Sequence, residues 1–199
     1  NFSYAQGDIK EHVDENFRRA AAHMNMTSSD IVCSQQTHTT NVRKVTALDK
    51  GKGVVCERDY TDVDGLITNE KGIILATFYA DCVPLFIVDP VHQAIGLSHS
   101  GWRGTAGRMG KVTLAQMHKE YGTKPEEVRV AIAPSICQHC YEVSEDVAAA
   151  FEQAFQKDDA KAAEYLARYQ QDFTQKELDD CLVYQKENGK YQLNLWYAN

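Results

Sequence analysis

The sequence predicts an α/β fold of the α+β kind, a single domain over residues 1–199 in which mixed β-sheets are covered by helices. Three observations predict it. Short runs rich in Val, Ile, Leu and Phe, each bounded or broken by Pro or Gly, have the length and composition of strands. Between them lie segments whose apolar residues recur at helical spacing. Across 199 residues, 43% of them hydrophobic, no repeat, low-complexity tract or linker divides the chain, so one sizeable core accommodates it. The chain begins without Met and stops soon after Trp196, so both ends read as trimmed.

In order, residues 8–26 place Ile9, Val13, Phe17, Ala20 and Ala21 on one face with charges opposite, an amphipathic cover helix. Ser28 to Asp30 form a turn. Residues 31–38 follow as a strand ending in the polar cluster Gln35-Gln-Thr-His-Thr-Thr40, and residues 42–45 resume the strand pattern. A Gly/Lys loop at 50–53 leads to Tyr60-Thr-Asp-Val-Asp-Gly-Leu-Ile-Thr-Asn69, which sets carboxylates just before a short apolar strand. Residues 78–90 and 95–104 contain two apolar runs that read as adjacent buried strands. A helix over 108–121 is closed by Gly122 and Pro125. Residues 128–133 are a further strand, and Ser144 caps a helix that has Glu145 and Asp146 in its first turn and runs to Gln156. Residues 157–171 suit a second amphipathic helix, and 173–180 a turn or short helix. The end pairs 181–184 with 191–196 around Glu187-Asn-Gly-Lys190 as a hairpin whose last strand runs into a helix.

Composition narrows the function classes. A formal net charge of −7 disfavours nucleic acid or an anionic membrane as partner, since both reward a basic surface. A small molecule fits better. Asp81 and Pro84 interrupt the longest apolar candidate for a membrane span, and the first residues form no signal peptide, so a cytoplasmic location is expected. The six cysteines then read as reduced thiols, some of them metal ligands.

Cys82 and His99 are the residues that two plain strands would not need. A thiol and an imidazole from neighbouring strands could be a nucleophile with its base, or two ligands of one metal ion. Cys82 alone is an ordinary buried thiol, but Asp81 and Pro84 beside it are poor choices for a central strand. His99 alone would be structural, yet Ser100-Gly-Trp-Arg-Gly104 follows it, a turn whose glycines let backbone approach a bound group. Arg103 offers a fork of donors for phosphate or carboxylate, or a surface ion pair. His38 in isolation reads as solvated or capping. Cys137-Gln-His-Cys140 has ligand-like spacing but lacks a second such pair, with Cys181 standing alone, so a structural zinc knot is weakly supported. His12, His23, His92 and His118 read as surface residues.

Taken together, Gln36-Thr-His38, Asp62-Val-Asp-Gly-Leu-Ile-Thr68, Ala80-Asp-Cys-Val-Pro84, His99-Ser-Gly-Trp-Arg-Gly104 and residues 134–143 resemble the YfiH-type family, called laccase-like or multicopper polyphenol oxidase and also purine nucleoside phosphorylase. The resemblance implies the layered YfiH-type sandwich and one zinc held by His38, Cys82 and His99. It also implies action on purine nucleosides: phosphorolysis of adenosine, inosine and methylthioadenosine, and deamination of adenosine. Thr39 stands where the family often has Gly, Ser100 where Ala is common, and the Arg-bearing C-terminal segment of many members is absent. Two imidazoles and a thiolate leave one position of a tetrahedral zinc open, the arrangement of a catalytic site. Asp81 and Asp64 are candidate proton carriers, Arg103 the candidate phosphate ligand, and Gln36 and Asp64 candidate substrate contacts. Three rivals stay open: copper-dependent phenol oxidation, which wants further His ligands; a metal-free Cys82/His99 hydrolase; and editing of a peptidoglycan precursor, which Arg103 also suits. A non-enzymatic metal-binding or partner-binding protein is the alternative outside catalysis.

Overall fold

The computed structural model describes residues 1–156, 182–186 and 188–199. The readings at 157–171, 173–180 and Cys181 lie outside the described residues. The regular elements are α1 (Lys10–His23), β1 (Ile31–Cys33), β2 (Val42–Lys44), β3 (Gly65–Thr68), β4 (Ile74–Ala76), β5 (Val83–Asp89) and β6 (Ala94–Ser100). They continue as α2 (Trp102–Ala106), α3 (Met109–Tyr121), β7 (Arg129–Ile132), β8 (Glu142–Val143), α4 (Glu145–Gln156), β9 (Val183–Gln185), β10 (Tyr191–Leu193) and α5 (Leu195–Ala198). Among the described residues no helix is long and apolar enough to cross a membrane.

The strands form three sheets, and the mixed α/β class read from the sequence holds. The largest has the order β2-β3-β6-β5-β7, with β2 and β3 parallel and the remaining pairs antiparallel. β1 and β4 form a parallel pair, and β8-β10-β9 an antiparallel sheet that contains the expected hairpin. At its tip the Gly189 N–H donates to the Lys186 carbonyl, and Gly189 adopts φ +80°, the left-handed conformation glycine reaches without strain.

Val13, Phe17 and Ala21 of α1, spaced four residues apart, meet Ile31 and Cys33 of β1 in one core cluster. Ile9, expected on the same face, precedes the helix in an extended conformation and is 58% exposed. On one face of the large sheet, Ile67 and Ile87 pack with Met117 of α3. Gly65 keeps that face clear, because a Cβ would lie 2.8 Å from Ser98 Oγ and 2.9 Å from Cγ2 of the β-branched Val42. A separate cluster joins Val83 and Leu85 to Phe151 of α4 and Leu193 of β10.

β5 and β6 are adjacent, as expected, with Pro84 opposite His99. They are not buried on both faces: Phe86 and Val88 alternate with the buried Leu85 and Ile87 and are each 44% exposed among the described residues. The strand expected from residue 78 begins only at Val83, since Asp81 takes φ +80°, outside the β region. The strand expected over 31–38 ends at Cys33, and His38 adopts φ +64°. Pro84 is tolerated because the ladder to β7 starts at Leu85, so the missing N–H falls at its end. Of residues 100–104, read as a turn, Ser100 ends β6 and Trp102 to Gly104 begin α2 instead.

Two buried carboxylates tie loops to this frame. Burial opposes ionisation of Asp49, yet the Lys52 ammonium (2.8 Å), the Thr46 N–H (2.9 Å) and the Arg43 guanidinium (3.0 Å) hold its carboxyl at about 2. Asp89, fully buried, is likewise held at about 2, against the cost of burial, by donors that include the N–H groups of Val91 and His92. A carboxylate depressed from 3.8 in this way stabilises the fold fully above that value, and the contribution disappears as pH falls through about 2. Thermal melts should therefore show Tm dropping steeply between about pH 4 and pH 2, with a shallower drop in Asp89→Asn. Identical acid profiles for the two proteins would contradict this assignment.

Candidate metal centre

Asp64 is completely buried at the start of β3, and its carboxylate accepts from every side. Oδ1 takes the His38 N–H (3.1 Å) and His99 Nδ1 (2.8 Å); Oδ2 takes the N–H groups of Thr37 (3.1 Å) and Thr39 (2.9 Å) and the Thr39 hydroxyl (2.9 Å). Burial alone would raise its pKa, but the His99 ring and these donors bring it down to about 2, so it stays ionised. The 37–39 loop is thereby folded around one charge. Its left-handed turn at His38 is the consequence, and the His38 side chain emerges exposed.

His99 comes from β6 and is 3% exposed. Burial works against its protonation, but Asp64 and Cys82 together raise its pKa to about 9. With Nδ1 engaged by Asp64, Nε2 is the ring atom left for a further partner. Cys82 enters immediately before β5, directed by Asp81, whose left-handed backbone is braced by the Ile136 N–H on its carbonyl at 2.9 Å. One ligand atom from each of His38, Cys82 and His99 lies within 4.8 Å of the others, with His38 Nε2 at 4.0 Å from Cys82 Sγ. The two imidazoles meet edge to face, centroids 5.0 Å apart.

This donor set fits a zinc ion. Zn–S and Zn–N bonds of ordinary length in a tetrahedron put sulfur and nitrogen roughly 3.5 Å apart, within a small side-chain adjustment of the spacing present. Gly101 makes room for it: a Cβ there would lie 2.8 Å from His38 Cδ2 and 3.1 Å from Cys82 Sγ. The backbone approach expected of the glycines after His99 is thus steric, because Gly101 has φ −73°, open to any residue.

A cleft of about 480 Å³, a size suited to a small-molecule ligand, opens onto the three side chains. Phe2, Tyr4, Phe78 and Arg58 contribute to its walls. Arg58, Phe2 and Tyr4 were not singled out as site residues by the sequence, since each sits in a segment with no motif of its own, whereas Phe78 opens the stretch that carries Ala80-Asp-Cys-Val-Pro84. The other candidates are placed unequally. Gln36 is committed internally: Oε1 accepts from Ser34 and the Phe78 N–H, and Nε2 donates to the Phe78 carbonyl. These bonds brace the cleft wall, which Gln36 lines, and they engage Oε1 and one of the two N–H donors of Nε2. Asp64, expected to carry protons or touch substrate, is completely buried and bonds to two of the three candidate ligands, His38 and His99. Asp81 is exposed next to Cys82. Arg103 is exposed on α2 and stacks on the Trp102 ring at 4.2 Å. Arg103 shares the surroundings of Tyr141, whose hydroxyl is pushed up by burial and by the charges of Cys82 and Asp81 and pulled down by Arg103.

Gly101→Ala supplies a direct check. The variant should fold with an unchanged circular dichroism spectrum, because its φ is permitted, while its zinc affinity falls at least about tenfold through displaced ligands. Zinc titration against a competing chelator reads this out, and wild-type affinity would show that the side chains at Gly101 do not share a metal.

Comparison with known proteins agrees with this architecture. The family described as multi-copper polyphenol oxidoreductase laccase matches residues 1–199. Purine nucleoside phosphorylase YlmD of Bacillus subtilis is 42% identical over 120 residues, 58% of this chain and 42% of its own. Adenosine deaminase RL5, from an unknown prokaryotic organism, is 36% identical over 138 residues, 67% of this chain and 51% of its own. The crystal structure of the Bacillus licheniformis hypothetical protein YfiH superposes with a TM-score of 0.81 at 26% identity, covering 100% of this chain and 67% of that one. The chain spans about half the length of the curated relatives it matches. By the match along its whole length, the chain belongs to the multi-copper polyphenol oxidoreductase laccase family.

Proposed function

We propose that this chain carries the active centre of a zinc-dependent purine nucleoside phosphorylase that also deaminates adenosine. The observation that carries the reading is the convergence of His38, Cys82 and His99 at the foot of an aromatic-walled cleft, with a buried carboxylate fixing two of the three. Two nitrogens and one sulfur make the three-ligand set of a catalytic zinc, whose fourth position is left to water or substrate. Zinc, when bound there, supplies a Lewis acid that brings the pKa of a bound water to about 7. The names of the relatives, purine nucleoside phosphorylase and adenosine deaminase, support purine nucleosides as the substrate class.

The chain's own residues divide the work. Asp64 holds the His99 ring in one tautomer and the 37–39 loop in one conformation, so the donors need little reorganisation. Phe78 and Tyr4 present flat apolar surface suited to a purine ring. Asp81, exposed beside Cys82, takes the proton from the attacking water in deamination and returns it to the departing amine. Arg103 holds phosphate by its donor fork for phosphorolysis, with Arg58 a second cation on the cleft wall.

One further reading has an observation in its favour. Asp64, His99 and Cys82 follow one another like the orienter, base and nucleophile of a thiol hydrolase, with the Asp64–His99 bond at 2.8 Å. It leaves His38 without a role. The oxidase chemistry in the family's description calls for several copper sites. Among the described residues the other cluster with metal-binding spacing, Asp89, His92 and Glu127, contains one histidine and no thiol.

Zinc-loaded protein should release base from inosine and adenosine only with phosphate, and form inosine from adenosine without it. Chelation or Cys82→Ala should lower both rates at least about 100-fold, and zinc should restore the chelated wild type but not the variant. Turnover that survives complete removal of the metal would select the thiol hydrolase. Arg103→Ala should raise KM for phosphate about tenfold while leaving deamination near its original rate; equal losses in both reactions would remove Arg103 from the phosphate site.

A further inference from the structure

Cys137 and Cys140 take no part in the centre described above, yet the chain holds them in a defined relation. Residues Gln138–Cys140 form a turn of 3₁₀ helix that follows Cys137. At three residues per turn, side chains three apart eclipse one another. The two sulfurs accordingly lie 2.9 Å apart and share a hydrogen bond, and both thiols are free and exposed. The turn is fastened at both ends: the Ile136 N–H donates to the Asp81 carbonyl (2.9 Å), and the Tyr141 carbonyl accepts from the Leu193 N–H (3.1 Å). Cys137 is further favoured as a thiolate, its pKa lowered by the Cys140 thiol and by the backbone N–H groups of Cys140 and His139.

We infer that Cys137 and Cys140 form a redox dithiol, a site of thiol–disulfide exchange with low-molecular-weight disulfides. The Cys137 thiolate attacks one sulfur of the small disulfide, forming a mixed disulfide and releasing one small thiolate. Cys140, giving up its proton to solvent, then attacks Cys137 Sγ, which closes the internal disulfide and expels the second small thiolate. Two protein thiols lose two electrons, the small disulfide gains them, and the protons leave on two small thiols. The inference is independent of the metal and of the nucleoside reaction. Cys82 lies one residue beyond the Asp81 carbonyl that anchors the turn, so the exchange occurs beside the centre without using its ligands.

The test uses the zinc-loaded chain, oxidised glutathione as probe, and peptide mapping after timed quenching with an alkylating agent. Cys56, also exposed and free, is the internal reference. An internal Cys137–Cys140 disulfide should form at least about tenfold faster than Cys56 acquires glutathione, and excess dithiothreitol should reverse it. Cys140→Ser should trap glutathione on Cys137, and Cys137→Ser should leave Cys140 no faster than Cys56. The inference fails if the pair in the unmutated chain reacts no faster than Cys56, or if Cys137 retains glutathione while Cys140 stays free. Because the rate comparison is made in the unmutated chain, it stands even where a variant folds poorly.

Discussion

A carboxylate removed entirely from water is costly unless donors replace the water, and Asp64 is such a carboxylate. Its partners come from two places far apart in sequence: three successive backbone N–H groups and a hydroxyl of the 37–39 loop, and the imidazole of His99 on β6. Neither place can move without exposing an unpaired charge. This one requirement positions two of the three candidate ligands, makes the left-handed turn at His38 worth its strain, and fixes which ring nitrogen of His99 faces the cleft. The large sheet serves the same end, since β3 and β6 are adjacent and the His99 N–H donates to the Asp64 carbonyl at 2.8 Å.

The third candidate ligand arrives by different means. Cys82 needs no buried charge behind it; Asp81 turns the chain in the left-handed region, and Pro84 stands just before the ladder to β7, where no donor is required. Gly101 then leaves the volume a side chain would have filled. Side chains held this way have little freedom of their own, which is what electrostatic preorganisation would demand if they share a metal ion. In the proposed reaction, the contacts with substrate and phosphate are assigned to the exposed Asp81 and Arg103 and to the cleft walls.

Much of this was legible in the sequence where local chemistry is decisive. The apolar runs of β5 and β6, the Val13-Phe17-Ala21 stripe of α1 and the Asn-Gly hairpin follow from short-range pattern, and Asp81 stood out because a carboxylate suits an ordinary strand badly. The trio of His38, Cys82 and His99 rested on resemblance across widely spaced motifs. What stayed hidden depended on contacts between distant segments. Nothing near Asp64 shows that it will be buried behind the candidate ligands, and nothing near Gln36 shows that its amide spans to Phe78. Arg58 and Tyr4 gain meaning only where the fold brings their loops to one cleft. The exposure of Phe86 and Val88 was equally beyond reach, because an apolar run does not say how many of its faces are covered.

If Asp64 is the constraint on which the centre depends, its charge should matter more than its shape. Zinc affinity of Asp64→Asn, measured by competition with a chelator of known strength alongside the unfolding midpoint, tests this most directly. The amide is isosteric but cannot accept from five donors as an anion does, so affinity should fall about 10- to 100-fold beyond any change in stability. Zinc affinity equal to that of the unmutated chain in a folded Asp64→Asn protein would contradict the account.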